Sequence, residues 1–492
     1  MKATRREFLR RSGLLAAAAS VGPGLVRGGS GGGGGARPRA IIHMVADGTS
    51  WSMWTLGEIY SRMTRGRGLR LFELFSSGRA AVAWVDMRSL NSMVTDSAAA
   101  SSSWSSGSRV VNGALNVLPD GRSLRPICSL LGEAGWKRGL VTTTEITHAT
   151  PAGFGVSCKS RGEAEKIARF YLEEGIEVLL GGGRKFFTRE KRSDRRDLFA
   201  AFCKQGYAVA TEAEEFSRLP LNRPWLGTFA ESHLPYRLDW EHDAELRRTV
   251  PRLPEMTRAA LRKLAREQRF LLQVEGGRVD HACHANDIAG AVHDLVEFDE
   301  AADVCLDYLR ANPDTLIVIT TDHGTANPGL NGMGAKYGDS NGLFEHVRRA
   351  RCSFEGLSAL WKKEGQTAAA LARLLEERYG YKPSGKRLAQ FLAYAEKSWK
   401  PLYAGMDGLP MQLGELLGNH WGVGWTSGAH TADYVPLVAA GAGAERFAGG
   451  MKNTDVFRRY MELAGIDFRN PEVPLLGECG PSAAEVEELA WA

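Results

Sequence analysis

Cysteine is scarce in this chain of 492 residues: there are seven, at positions 128, 158, 203, 283, 305, 352 and 479, unevenly spaced. That spacing implies no disulfide framework, and the odd number leaves at least one thiol without a partner in the chain. Long hydrophobic runs are missing too; the apolar segment 14–21 falls well short of the roughly 20 residues a spanning helix needs. Neither sign of charge is in large excess, with 62 Lys and Arg against 57 Asp and Glu and a net charge of +5. No dense basic tract is interleaved with aromatics, which argues against a nucleic-acid-specific surface, and the most basic run, 191–196, reads as a solvated face. What remains is 43% hydrophobic and 24% charged, a globular composition able to bury a large core as one α/β domain or two smaller ones.

At the N-terminus, Arg5-Arg6 followed by Phe8-Leu9 and the short apolar segment resembles a twin-arginine export signal. Gly28 to Gly35 reads as a flexible linker. The expected division is therefore signal and linker over 1–38 and a folded domain over 39–492, exported by the twin-arginine route to the periplasm or beyond.

The most informative stretch runs from Phe270 to His284. The apolar run 270–274, bounded by Gly276-Gly277, predicts a buried strand that stops where Glu275 emerges. Asp280 and His284 follow at i,i+4, which on a helix stacks both side chains on one face, as two ligands of one cation require. Taken alone, the pair better suits an N-capping Asp and a solvated His, and only further ligands elsewhere in the chain reverse that reading. Two more runs repeat the pattern of strand, acid and glycine: 40–46 before Asp47-Gly48, and 315–321 leading to Asp322-His323-Gly324. Open α/β sheets bind ligands at the carboxyl ends of their strands, and core packing does not require three such ends to carry carboxylates.

Thr95-Asp96-Ser97 opens an Ala/Ser-rich helical stretch whose first N–H groups suit an anion, although a serine there is also an ordinary cap. The strand 139–144 leads to a loop with His148 and Thr150. Arg161 stands ahead of a helical pattern over 163–172, and its planar fork matches two phosphate oxygens, or a surface position. From 181 to 269 the chain alternates charged helices with Pro-containing loops and shows no chemistry. A helical pattern covers 287–310. Residues 329–420 read as an insertion with amphipathic helices at 357–379 and 384–395. His430 precedes a final strand, and 450–464 predicts a closing helix. The expected fold is α/β, a central mostly parallel sheet flanked by helices on both faces, with a helical insertion.

Asp47-Gly48, Thr95-Asp96-Ser97, Thr147-His148-Ala149-Thr150-Pro151, the Val274 to His284 stretch, Thr321-Asp322-His323-Gly324 and Thr426-Ser427-Gly428-Ala429-His430 occur in that order, and with them the chain resembles the alkaline phosphatases. The resemblance implies hydrolysis of small phosphate monoesters through a phosphoserine intermediate. Ser97 would be the nucleophile, Arg161 the phosphate clamp and Asp96 the residue that orients it. Asp280, His284 and His430 would hold a first zinc, and Asp47, Asp322 and His323 a second. A third ion, usually magnesium, would take Asp47, Glu275 and Thr150, with His148 beside it. A homodimer is an expected assembly, and insertions at 329–420 either cap the active-site mouth or mediate dimer contacts. Ser97 with Arg161 favours monoesters over the diesters of related phosphodiesterases. No Cys-x-Pro-x-Arg signature supports a sulfatase, and the complete residue set speaks against a non-catalytic metal- or phosphate-binding protein. The sequence departs from the family at three places: His148 stands where some members carry aspartate, His281 where some carry lysine, and Thr49-Ser50-Trp51 replaces a Gly-Met-Gly. Imidazole favours softer ions than magnesium. Trp51 and Trp54 read as packing residues.

Overall fold

The computed structural model describes residues 37–334 and 336–476, so the expected export signal and the glycine-rich run lie outside the described residues. Among the described residues, ten strands form one sheet: β1 Ala40–Val45, β2 Ala81–Asp86, β3 Lys137–Glu145, β4 Val178–Gly182, β5 Ala208–Ala210, β6 Trp225–Thr228, β7 Phe270–Glu275, β8 Thr315–Thr320, β9 Tyr434–Gly441 and β10 Gly449–Lys452. Their order is β10-β2-β9-β8-β1-β7-β3-β4-β6-β5. Within it β9 alone is antiparallel to its neighbours, β2 and β8, and every other pairing is parallel. The mostly parallel α/β sheet expected from the sequence is thus present.

A parallel sheet covered on both faces needs strands that are apolar throughout, and β1 is fully buried along its length. Its side chains alternate between two cores: Ile42 and Met44 join one, Ile41 and Val45 the other. Each such side chain contributes about 1.5–3 kcal/mol through burial. The Ile288–Ala311 helix packs on the first face, against the Leu253–Leu264 helix and the Trp51–Arg65 helix. Trp54 of the latter is buried beside Phe298, and Trp51 lies against Trp84 at 4.7 Å between ring centroids, so both tryptophans pack.

Register brings the three acids together. Val45 pairs with Glu275 on one side and Thr320 on the other, so β1, β7 and β8 end at one level. Asp47 and Asp322 follow two residues beyond their strands' paired ends, beside Glu275.

Three segments differ from expectation. The 181–269 stretch contributes the end of β4 together with β5 and β6, short strands that widen the sheet. The helical stretch 357–379 is two helices, Phe354–Lys363 and Ala368–Tyr379, divided where Gly365 and Gln366 take φ of +74° and +56°. The closing helix begins at Asn453, because 449–452 forms β10. The insertion carries further helices at Asp339–Glu345 and Leu409–Trp421, and its base is closed by a ladder in which Gly329 pairs with Gly424.

Candidate active site and metal centre

The chain turns sharply after β1 because Gly48 has φ of +68°, a conformation side chains disfavour, and a Cβ there would lie 2.4 Å from Asp280 Oδ1. Only glycine lets the Arg278–His284 helix come this close. Gly48 N–H donates to Asp322 Oδ1 at 3.0 Å, and Thr49 N–H to Thr321 Oγ1 at 3.0 Å, which ties the two strand ends into one cradle.

Ser97 is the first residue of the Ser97–Ser106 helix, all ten residues of which are buried. A polar helix can be buried only if its hydroxyls find partners. Ser101 Oγ donates to the Thr150 carbonyl at 2.7 Å and Ser103 Oγ to the Ala99 carbonyl at 2.9 Å. Asp96 is the N-cap: its Oδ1 accepts from Ala99 N–H at 2.9 Å, while Oδ2 accepts from Gly113 N–H at 3.1 Å and from Arg161 Nη1 at 2.9 Å. One carboxylate therefore fixes both the helix that carries Ser97 and the guanidinium. Ser97 Oγ lies 3.2 Å from His323 Nε2.

The nine predicted metal-ligating residues gather around this serine in overlapping groups. In each of three sets the ligand atoms lie within 4.8 Å of one another: Asp280, His323 and His430; Asp47, Asp322 and His323; Asp47, His148 and Glu275. His284 borders the first, its Nε2 3.3 Å from Asp280 Oδ2 and 3.1 Å from His430 Nε2. The His323 and His430 rings stack at 3.6 Å, an arrangement produced by the ladder that pairs His430 with Thr325. Thr150 Oγ1 reaches Asp47 Oδ2 at 3.4 Å, and Glu275 Oε2 accepts from Thr142 and Thr144.

The electrostatics are those of a cation site. Burial, then the charges of Asp322, Asp280 and Glu275, push the Asp47 carboxyl well above its usual range. Burial pushes Glu275 up to about 7. At His284 burial lowers the pKa, but Asp280 outweighs it and the imidazole is pushed up to about 9. Asp47 Oδ1, Glu275 Oε1 and His148 Nδ1 are buried without a hydrogen-bond partner, and Asp322 Oδ2 faces His323 Nε2 at 3.1 Å. Carboxylate oxygens and an imidazole nitrogen left bare and converging fit a divalent cation.

Supporting residues that the sequence reading did not single out complete the picture. Thr325 Oγ1 donates to Asp280 Oδ1 at 2.6 Å, and the carbonyls of Gly428 and Thr95 accept from His284 Nδ1 and His430 Nδ1 at 2.7 and 2.9 Å. Such partners orient metal-binding imidazoles. Thr325, two residues past His323, was the signal available. His233, in the stretch that showed no chemistry, packs 4.4 Å from His281. From outside, the insertion reaches the same parts: Glu355 forms an ion pair with Arg278 at 2.6 Å, and Gly428 N–H donates to the Gly405 carbonyl at 2.9 Å.

The alkaline phosphatase family profile matches residues 38–466. The chain belongs to the alkaline phosphatase family. It is 32% identical over 376 residues to alkaline phosphatase 3 of Bacillus subtilis (strain 168), covering 75% of this chain and 77% of that one. The fold is similar to the crystal structure of Thermus thermophilus alkaline phosphatase, with a TM-score of 0.83 and 35% identity over 92% of this chain and 95% of the other. It is also similar to the cold-active alkaline phosphatase of Shewanella sp., with a TM-score of 0.72 and 27% identity over 86% and 99%. Alkaline phosphatases are metal-dependent phosphomonoesterases, and the acid and histidine groups gathered here are the candidate metal-binding residues.

Proposed function

We propose that this alkaline phosphatase hydrolyses phosphate monoesters in two displacements with Ser97 as the nucleophile. Ser97 Oγ attacks phosphorus and the alcohol leaves, giving a phosphoserine; water then attacks the same phosphorus and inorganic phosphate leaves. The observation that carries this reading is the position of Ser97 Oγ, 3.2 Å from His323 Nε2 and at the start of a helix whose N-cap, Asp96, holds Arg161. Arg161 clamps the phosphoryl oxygens, and Asp96 sets its orientation. Asp280, His284 and His430 would hold one zinc; Asp47, Asp322 and His323 a second; Asp47, Glu275, Thr150 and His148 a third cation, magnesium. When bound, such cations would lower the pKa of the serine hydroxyl and of water and offset the charge that develops on the entering and leaving oxygens. The buried acids supply the negative charge that keeps cations there, and the enclosing threonines hold those acids in place.

The test is the hydrolysis rate of an aryl phosphate monoester against the matching diester at alkaline pH, with zinc and magnesium and again after chelation. A monoester preference lost on chelation and lost in Ser97→Ala is expected. Preference for the diester, or activity that survives complete chelation, would overturn the reading.

The N-terminal motif extends the proposal to export by the twin-arginine route. Changing Arg5 and Arg6 to Lys is expected to move the enzyme from the exported fraction to the cytoplasm. A homodimer is the proposed assembly, checked by sedimentation.

A further inference from the structure

Arg161 Nη2 donates to His148 Nε2 at 3.0 Å while Nη1 stays on Asp96. A guanidinium has donors only, so the ring nitrogen must accept. That fixes the imidazole, because a neutral ring has one lone pair and one N–H: Arg161 takes the lone pair and the proton sits on Nδ1. Nδ1 is buried with no hydrogen-bond partner. Yet His148 belongs with Asp47 and Glu275 to a group whose ligand atoms lie within 4.8 Å, and Asp47 Oδ1 and Glu275 Oε1 are equally bare.

His148 thus has one lone pair and two claimants. A cation on Nδ1 sends the proton to Nε2, where it faces the N–H of Arg161; a cation on Nε2 displaces Arg161 outright. Either way the Arg161 hydrogen bond and coordination by His148 exclude each other. The ring has little room to turn aside, since His233 and His281 stand edge-on to it at 5.7 and 5.6 Å.

We propose that His148 is a positioning residue that couples the third cation to the phosphate clamp. Without the cation, Arg161 Nη2 rests on His148. With His148 engaged by the cation, Nη2 is released toward a phosphoryl oxygen while Asp96 retains Nη1. The inference deepens the proposed function and rests on its assignment of Arg161 as clamp and of Asp47, Glu275 and His148 to the third cation.

The test uses the zinc-loaded enzyme with 15N-labelled histidine, titrated with Mg2+ and separately with Zn2+ in the absence of phosphate. His148 Nε2 is expected to change from a hydrogen-bond acceptor to a protonated or directly ligated nitrogen. In parallel, calorimetry measures how much the added cation tightens binding of inorganic phosphate in the wild type and in His148→Asn. The asparagine oxygen has two lone pairs and can serve Arg161 and a cation together, while the plain attraction between cation and phosphate is common to both proteins and cancels. The tightening in the wild type should exceed that in the variant by about tenfold, the scale of one hydrogen bond to a charged group. Cation binding that Glu275→Gln abolishes, but that leaves the His148 signal unchanged, would overturn the coupling and spare the proposed function. No binding of either cation that depends on Glu275 would overturn the third-cation assignment and the coupling with it. If His148→Asn does not fold, the wild-type histidine signal decides alone.

Discussion

The Nε2 atoms of His284 and His430 face one another at 3.1 Å, and each ring is anchored through Nδ1 to a backbone carbonyl, Gly428 for one and Thr95 for the other. With Nδ1 donating in both rings the two Nε2 atoms converge, so a proton, which Asp280 favours on His284, or a cation must lie between them. Chelation is therefore expected to lower the melting temperature as well as abolish activity, and added zinc should raise it in a concentration-dependent way, as binding to the folded state alone requires. His284→Ala should cost more than the roughly 100-fold typical of losing a residue that only supports a ligand. Differential scanning fluorimetry and metal analysis of the same samples check both.

Asp96 performs two tasks that substitution separates. Asp96→Asn keeps an acceptor for Ala99 N–H but loses the ion pair with Arg161 and the acceptor for Gly113 N–H, so KM for a phosphate monoester is expected to rise about tenfold with a smaller fall in melting temperature than in Asp96→Ala. Asp96→Ala loses the cap as well and should destabilise the protein by about 1 kcal/mol more. Steady-state kinetics and chemical denaturation on both variants distinguish the two losses.

Gly48→Ala combines a left-handed backbone angle with a direct collision on Asp280. A destabilisation of about 1–3 kcal/mol and a reduced zinc content are expected together. Urea unfolding with metal analysis checks it; normal zinc content would show that the close approach of the two segments is dispensable.

His43 provides a pH dependence remote from the reaction. Buried in β1 and 2.8 Å from Tyr460 Oη, its imidazole is lowered by burial to about 3 from the ordinary 6.5. The folded state thus binds fewer protons than the unfolded one between those values. The stability is fully present above pH 6.5 and is lost as pH falls through the window toward 3. From pH 6.5 to 5 the loss from this group is about 2 kcal/mol. Denaturation curves at pH 8 and pH 5 should show this loss diminished in His43→Gln.

The segments legible in the sequence were those in which one short-range signal suffices. β1, β7 and β8 are largely apolar runs, interrupted within by His43 and Gln273 alone, that stop at an acid or just short of one, and the same register that buries them aligns Asp47, Glu275 and Asp322. β5 and β6, with three and four residues, are too short to show periodicity, and β4 ends in Gly181-Gly182, which reads as a loop. They are strands because their neighbours supply the ladder. His233 was illegible for a related reason. Its contacts, Glu145 N–H at 3.1 Å and the rings of His148 and His281, come from distant parts of the chain, and nothing in its own surroundings marks it. The break after Lys363 lies in 362–367, which holds no apolar side chain, and the apolar patterns on either side of it belong to separate helices.

Asp47 belongs to two of the ligand groups and His323 to two, so the three groups form a chain with shared links. A shared carboxylate cannot be withdrawn toward one occupant without being felt by the next. Occupation of one group should therefore shift the affinity of the next, and a substitution aimed at one position will register at its neighbours.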